Sequence, residues 1–555
     1  AFTSSMAERD ISVRLWYFSI FLLFLFSFFL RFPYPSPSWW HVDERAFILH
    51  PLGLWSGDLN PHFFNYPSLP FYLNSLLYYV YYLLTYSGSP LHFVAERYFV
   101  GGGDLIMIAR SFNSLQSALT GVLCALIGRR LFGARIGLLA GVSFAVLPLS
   151  VRFAHLATVD TGQVFWQVAS LLFSVRLVAT GRLREVLLAG VMVGLAAASK
   201  YPGVLSLLPL AVACVLSVDT LKGRGKRLLW AAAAAGLAFF CASPYVLLDF
   251  SSAWASLSSM GSEHLLSGSH EGESFSLWHH LRYNLRYGVG WLGVFGLGLG
   301  LCYRLGRYRP GEWVLLSAVL VQVVFLSLSS SVFMRYAFPL APLVALAWGR
   351  LLWLLPKSGW LALAVAALLW AEPLYGAWHT RALLSGEDTR ELARKWIQEN
   401  IPMGTHLVHS TLGAGTLGVA HPGGIYTRQN SFLQSYQVND LRLAYEWLAQ
   451  RDDLPPIYIS FNAELGLQQV AEDLDKPYSI GVFVDSEHPL SLREGAEALQ
   501  HLQSIAEWQV EFASGDQLAV FDPVDWYFLP IGGYATSVRT GPAIKLGLLP
   551  MASTR

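Results

Sequence analysis

Long apolar stretches dominate the first two thirds of the chain, and their period and length predict helices that cross a bilayer. Runs of about 17 to 25 mostly apolar residues suffice to span the hydrocarbon, and eleven occur, near 11–32, 108–128, 134–155, 160–180, 185–199, 203–218, 228–247, 287–304, 312–330, 337–355 and 359–378. The fifth and sixth are short and separated by Ser199-Lys200-Tyr201-Pro202-Gly203, a proline break expected to divide two spans. The segment 68–86 is apolar too, but its six tyrosines and Asn74 suit a helix lying at the headgroup boundary. The first run carries no small-residue cleavage site before Arg31 and is expected to stay as a span. Gly133, Gly137 and Gly141, and the glycines from 288 to 300, predict close helix packing.

Beyond Trp378 the charged residues return and short strand signals alternate with helical ones, predicting a separate α/β domain over 379–555. Thr389 to Asn400 has an amphipathic pattern, and strands are expected near 407–410, 457–461 and 480–484. Residues 508–513 and 517–521 are expected to pair as a hairpin across Ser514-Gly515-Asp516, and the Gly541-Pro542-Ala543-Ile544-Lys545-Leu546 ending to form an edge strand.

Composition sharpens the class. Of 555 residues 54% are hydrophobic, 14% aromatic and 14% charged, against about 25% charged in an ordinary soluble domain, and mean hydropathy is +0.43. The expected architecture is a polytopic α-helical membrane protein of about eleven transmembrane helices over 1–378, followed by the extracytoplasmic α/β domain 379–555. A net charge of +1 offers no basic face for nucleic acid. The four cysteines sit inside apolar runs without metal or redox spacing.

Basic residues set the orientation, because Lys and Arg in short loops favour the cytoplasm. Arg9 and Arg14, Arg129, Arg130 and Arg135, Arg182 and Arg184, the Lys222 to Arg227 cluster, Arg304, Arg307 and Arg309, and Lys357 all fall on alternate connections. The opposite, outer connections then hold a large first loop at 33–107 and another at 249–286. Asp43, Glu44, Asp160, Lys200 and Arg335 lie on that outer side.

Carboxylates next to a bilayer are costly to place and mark candidate chemistry. His41-Val42-Asp43-Glu44-Arg45 follows the first span, with Asn65-Tyr66-Pro67 close behind. Asp43 or Glu44 can take a proton from a hydroxyl, and Lys200 and Arg335 can hold a phosphate by charge-assisted hydrogen bonds. Together these groups suit transfer of a sugar from a phosphate-linked lipid. Asp160 fits equally the N-cap of the following helix, Lys200 a snorkelling side chain and Arg335 a helix-end anchor. The 249–286 loop holds Glu263, His264 and His270, with irregular spacing that suits a loop closing over substrate and leaves a divalent metal open.

In order, Asp43-Glu44, Gly57-Asp58, Pro67-Ser68-Leu69-Pro70, Arg110, Arg129-Arg130-Leu131-Phe132-Gly133, Pro148, Asp160, Ser199-Lys200 and Arg335-Tyr336-x-x-Pro339 resemble the bacterial family 39 type glycosyltransferases of the GT-C fold. That group includes protein O-mannosyltransferases and lipid A aminoarabinose transferases, and the resemblance covers about residues 1 to 380. It implies a polyprenyl-phosphate sugar donor, a lipid, glycan or protein acceptor, inversion at the sugar, and an active site on the outer face of a bacterial inner membrane. It also implies catalytic roles for Asp43, its neighbour Glu44 and Asp160, and donor-phosphate contacts for Lys200, Arg335 and Tyr336. His41, Asn65, Tyr66, Glu263, His264 and His270 stand as loop or acceptor candidates, Glu263-His264 resembling a pair in the aminoarabinose transferases. Two other classes also fit a chain of this kind: a non-catalytic subunit that binds a partner in a membrane complex through its outer domain, and a transporter. A transporter usually places its charges near the midplane with paired repeats, and no repeat is evident here.

Overall fold

The computed structural model describes residues 12–34, 41–261, 276–355, 359–402, 406–409, 447, 459–462, 481–487, 500, 503–515, 518–522, 524–525 and 527–549. The candidates Glu263, His264 and His270 lie outside these residues. All eleven apolar runs are helical. Among the described residues six helices are long and apolar enough to cross a membrane, or eight if each of two bent pairs is one span, and Tyr201–Leu216 and Leu340–Leu354 are shorter apolar helices. The protein is a multi-pass membrane protein.

The chain divides into two compact units. The first comprises Ala1–Phe32, Phe63–Pro70 and Arg110–Arg381. Its helices break where the sequence dictates. Ala134–Ala145 and Pro148–Ala154 meet at 58°, because Pro148 has no N–H to continue the preceding helix and forces Leu147 out of helical geometry. Ser276–Val289 and Trp291–Cys302 meet at 103° across Gly290, whose φ of +86° is open to glycine at no steric cost.

Small residues bring helices together as expected. A methyl group on Gly137 would fall 2.5 Å from the Arg129 nitrogen, and one on Gly300 would strike the Ala347 carbonyl, so both contacts require a bare backbone. Polar side chains fasten the same helices. Arg31, at the end of helix Val13–Arg31, is fully buried. Its guanidinium donates to the Ser27 and Ser117 hydroxyls, to the Ser150 hydroxyl, and to the carbonyls of Ser27, Phe144 and Ala145. A second network joins Arg350 to Glu312 at 2.7 Å, while Arg309 donates to the same carboxylate from its backbone and side chain. Buried donors and charges are tolerated at these points because each is paired. The opposite face of Val13–Arg31 leaves Leu15, Phe18, Phe21 and Leu22 about half exposed, as a lipid-facing surface requires.

The second unit comprises Pro33–His62, Phe71–Ala109 and Ala382–Arg555. Its first part is helical and aromatic-rich. Tyr78 donates its hydroxyl to the Phe47 carbonyl at 2.8 Å, and Trp55 stacks on Phe93 with ring centroids 5.6 Å apart. Leu76, Val80, Leu83 and Leu84 remain exposed on helix Leu69–Thr85, an apolar stripe that suits the boundary position expected of this segment.

Its last part holds a five-stranded sheet of β1 (His406–His409), β2 (Ile459–Asn462), β3 (Gly481–Glu487), β4 (Glu507–Phe512) and β5 (Ala543–Leu549), ordered β2-β1-β3-β5-β4. β1 pairs in parallel with β2 and β3, while β5 runs antiparallel to β3 and β4. Two expectations are corrected here. Among the described residues 508–513 does not pair with 518–521: β4 pairs with β5, and Val520 instead bridges Gly532. The Gly541 to Leu546 stretch opens a strand interior to the sheet. Burial explains both, since Ile544 and Leu546 are fully buried and gain more from two strand neighbours than an edge provides. Ala393, Ile397 and Ile401 of helix Thr389–Asn400 and its end pack on Leu407, Ile544 and Leu546, the spacing of four placing one apolar stripe on the sheet.

His50, on helix Ala46–Gly53, lies against Phe71 at 5.1 Å between ring centroids. Burial lowers its pKa from 6.5 to about 3, although a hydrogen bond with the Pro61 backbone works upward. As pH falls from 6.5 towards 3 the unfolded chain binds a proton that the folded chain refuses, so the native state loses stability across that window. His50→Gln keeps a donor and cannot titrate. Its unfolding midpoint should therefore drop less than the wild-type one between neutral pH and about pH 5, measured by thermal unfolding in detergent; equal drops would show that His50 is not the group responsible.

Candidate functional site

Two constellations contain the candidate residues, one in each unit. In the first unit Asp160 lies in the opening turn of helix Val159–Thr180 and is 3% exposed. Thr158, not Asp160, occupies the cap position, so the capping role considered for Asp160 does not apply. The loop before it is pinned by Asn113, whose amide donates to the Leu156 and Thr158 carbonyls at 2.6 and 2.8 Å. The positive end of the helix favours a carboxylate at Asp160.

Lys200 follows helix Leu183–Ser199 in extended conformation, before the 3-10 turn Tyr201–Ser206. Its Nζ lies 2.6 Å from Asp160 Oδ1 and 4.8 Å from the centre of the Tyr336 ring. Lys200 is therefore no snorkelling side chain: it is buried, ion-paired and held over an aromatic face. Gly203 makes the turn possible. A methyl group there would lie 2.3 Å from the Ala196 backbone, and the Gly203 N–H closes the turn on the Lys200 carbonyl at 2.8 Å.

Tyr336 belongs to the turn Met334–Ala337, with Arg335 beside it, half-buried and stacked on Phe333 at 4.6 Å. On another side Tyr201 donates its hydroxyl to the Phe64 carbonyl at 2.9 Å. That bond brings the segment with exposed Asn65 and half-buried Tyr66 to the Lys200 break. Thus connections far apart in sequence converge on one buried acid and cation.

In the second unit His41 caps the short helix Val42–Arg45. Its Nδ1 accepts from the Asp43 N–H at 3.0 Å, while the Glu44 carboxylate accepts from the His41 N–H at 3.3 Å. The two acids are therefore not equivalent. Glu44 is fully buried and engaged in the cap, whereas the Asp43 side chain is 23% exposed. Further on, Asp58 accepts from Asn60 and His62. Burial pushes its pKa up, but the hydrogen bonds from His62 and Asn60 hold it below the usual carboxylate range.

One member of this group carries no sequence signal. Asp525 Oδ1 is 2.7 Å from His41 Nε2, and both side chains are almost fully buried. Nothing in Asp522-Pro523-Val524-Asp525 marks it, and the pair is separated by 484 positions. Among the described residues no group of three His, Cys, Asp or Glu side chains is arranged to hold a metal ion.

Residues 100–248, which include Asp160 and Lys200, match the family model of dolichyl-phosphate-mannose-protein mannosyltransferase. The structure is similar to ArnT from Cupriavidus metallidurans, solved bound to undecaprenyl phosphate, with a TM-score of 0.52 at 15% identity over 96% of this chain and 97% of that one. The chain has the GT-C fold. The oligosaccharyltransferase of Archaeoglobus fulgidus aligns at 14% identity with a TM-score of 0.46, covering 72% of this chain and 62% of that one. This chain thus spans less than two thirds of the archaeal enzyme's length. A sequence search of curated proteins gave no match.

Removing one partner of a buried ion pair strands the other. Lys200→Met should destabilise the protein by about 3–5 kcal/mol, and Lys200→Met combined with Asp160→Leu should recover most of that loss. Unfolding midpoints in detergent check this, and additive losses would show that the two side chains are not coupled.

Proposed function

We propose that this protein is a membrane glycosyltransferase that moves a sugar, hexose or pentose, from a polyprenyl-phosphate donor to a hydroxyl of a lipid, glycan or protein. The observation that carries this reading is the buried Lys200–Asp160 pair over Tyr336, within the segment that matches the mannosyltransferase model. The GT-C fold shared with an ArnT solved with undecaprenyl phosphate supports it further.

The chemistry is an in-line displacement. The acceptor oxygen attacks the anomeric carbon from the face opposite the phosphate. As that bond forms, the bond from carbon to phosphate oxygen breaks and its electrons leave with the lipid phosphate, which inverts the sugar. Asp43, partly exposed on a capped turn, takes the acceptor proton. Glu44 holds the turn that presents Asp43. Lys200 and Arg335 receive the phosphate charge, the first oriented by Asp160 and Tyr336, the second by Phe333. Lys200 is less mobile than a solvated lysine, so little reorganisation accompanies charge development. Asn65 and Tyr66 contact the substrate in this reading, which the Tyr201–Phe64 bond beside them supports.

In this reading the domain 379–555 and the first loop are extracytoplasmic, the protein resides in a bacterial inner membrane, and the donor reaches Lys200 from the outer leaflet. The alternating basic loops support that orientation.

Purified protein in liposomes, given a panel of radiolabelled undecaprenyl-phosphate sugars and candidate acceptors, should yield labelled product from at least one donor. Asp43→Asn should lower turnover by about 100-fold or more with an unchanged unfolding midpoint. Arg335→Gln should raise the donor KM by about tenfold or more. Wild-type turnover in the Asp43 variant would remove it as the base.

A further inference from the structure

Asp43 is carried on a turn whose geometry is set by His41, and His41 is engaged on both ring nitrogens. Nδ1 accepts the Asp43 N–H, so it bears no proton. The ring proton therefore sits on Nε2 and is donated to Asp525 at 2.7 Å. A carboxylate opposite one nitrogen fixes which tautomer a histidine adopts, and here only the Nε2–H tautomer leaves Nδ1 able to cap. The ring is also packed edge-on to Tyr527, 6.3 Å between centroids.

The support for Asp525 is itself buried and hydrogen-bonded. Tyr527 and Leu529 are buried, and the Tyr527 N–H donates to the Asp525 carbonyl at 2.8 Å. Phe528 lies under the Arg390 guanidinium at 5.4 Å, and its carbonyl accepts from Gly541. Arg390 is in turn paired with Asp388 at 2.8 Å, at the cap of helix Thr389–Asn400. Contacts of Arg390 with Phe528, and of Tyr527 and Asp525 with His41, thus link that helix to His41 and the Asp43 backbone, wholly inside the second unit.

We propose that Asp525 is a positioning residue for Asp43, acting through His41: it selects the histidine tautomer that caps the turn and so fixes where the Asp43 carboxylate points. The proposal rests on the glycosyltransferase reading for Asp43, and it gives the C-terminal segment a direct part in that chemistry. Loss of Asp525 leaves His41 free to adopt the other tautomer, in which an Nδ1–H faces the Asp43 N–H and the cap is lost. The Asp43 side chain then samples orientations that no longer meet the acceptor proton.

Hydrogen exchange of the full-length protein in detergent reads this without any substrate. In Asp525→Ala the Asp43 amide should exchange about fivefold to tenfold faster, the cost of losing one cap, while amides of helix Thr389–Asn400 keep their rates. Asp525→Asn, which still offers an acceptor to Nε2–H, should restore slow exchange. His41→Asn retains a capping side chain that cannot reach Asp525, so adding Asp525→Ala to it should change nothing further. With the labelled undecaprenyl-phosphate sugars, Asp525→Ala should lower kcat by about 10- to 100-fold at constant donor KM, again rescued by Asp525→Asn. Unchanged exchange at Asp43, or faster exchange with an unchanged kcat, overturns the proposal. Absence of wild-type transfer with every donor tested counts against the glycosyltransferase reading instead, and the exchange result still decides whether Asp525 governs the turn.

Discussion

A charge buried away from water must find a partner, and the membrane unit is organised around one such obligation. Lys200 cannot stand ionised in a bilayer-embedded body without compensation, and Asp160 supplies it at 2.6 Å. Meeting that requirement fixes several other features. The helix beginning at Val159 must present its first turn to the end of the helix closing at Ser199. Asn113 must hold the intervening loop by its carbonyls, and Tyr336 must bring its ring beneath the ammonium. Two other buried cations obey the same rule with different partners. Arg31 is satisfied mostly by hydroxyls and carbonyls, and Arg350 by Glu312. What separates Lys200 is its neighbourhood, because its ammonium also lies over the Tyr336 ring and the turn that follows it is bonded to the Phe64 carbonyl.

Much of this was legible in the residues. The apolar runs and the Pro202 break follow from local pattern, whereas 134–155 and 287–304, expected as single spans, are bent at Pro148 and Gly290. Alternating spans and basic loops lead one to expect Asp43, Glu44, Asp160, Lys200 and Arg335 on one side; the structure brings Asp160, Lys200 and Tyr336 together in the first unit, and Asp43 and Glu44 belong to the second. Two kinds of feature could not be read this way. Strand pairing at the end of the chain is a contest between local turns and distant partners: Ser514-Gly515-Asp516 looks like a hairpin turn, yet β4 joins β5 because burying Ile544 and Leu546 outweighs a short connection. The division of labour between Asp43 and Glu44 is also invisible in sequence, since both are acids at adjacent positions. Only the backbone shows that Glu44 closes a cap while Asp43 keeps part of its surface in contact with solvent.

The second unit gathers pieces of chain that composition alone would separate. Residues 33–107 read as a loop between spans and 379–555 as a separate domain; Pro33–His62, Phe71–Ala109 and Ala382–Arg555 fall in one compact unit. The His41–Asp525 bond lies within it. A long connection between spans gains in this way the support of a sheet and helix, which it lacks when left to itself.

Gly203 acts through what it forbids. With the Ala196 backbone 2.3 Å from where a side chain would begin, the chain beyond Lys200 has no slack in which to slide. A side chain begun there would meet the backbone of the preceding helix, so this one glycine sets the crossing that holds Lys200 against Asp160.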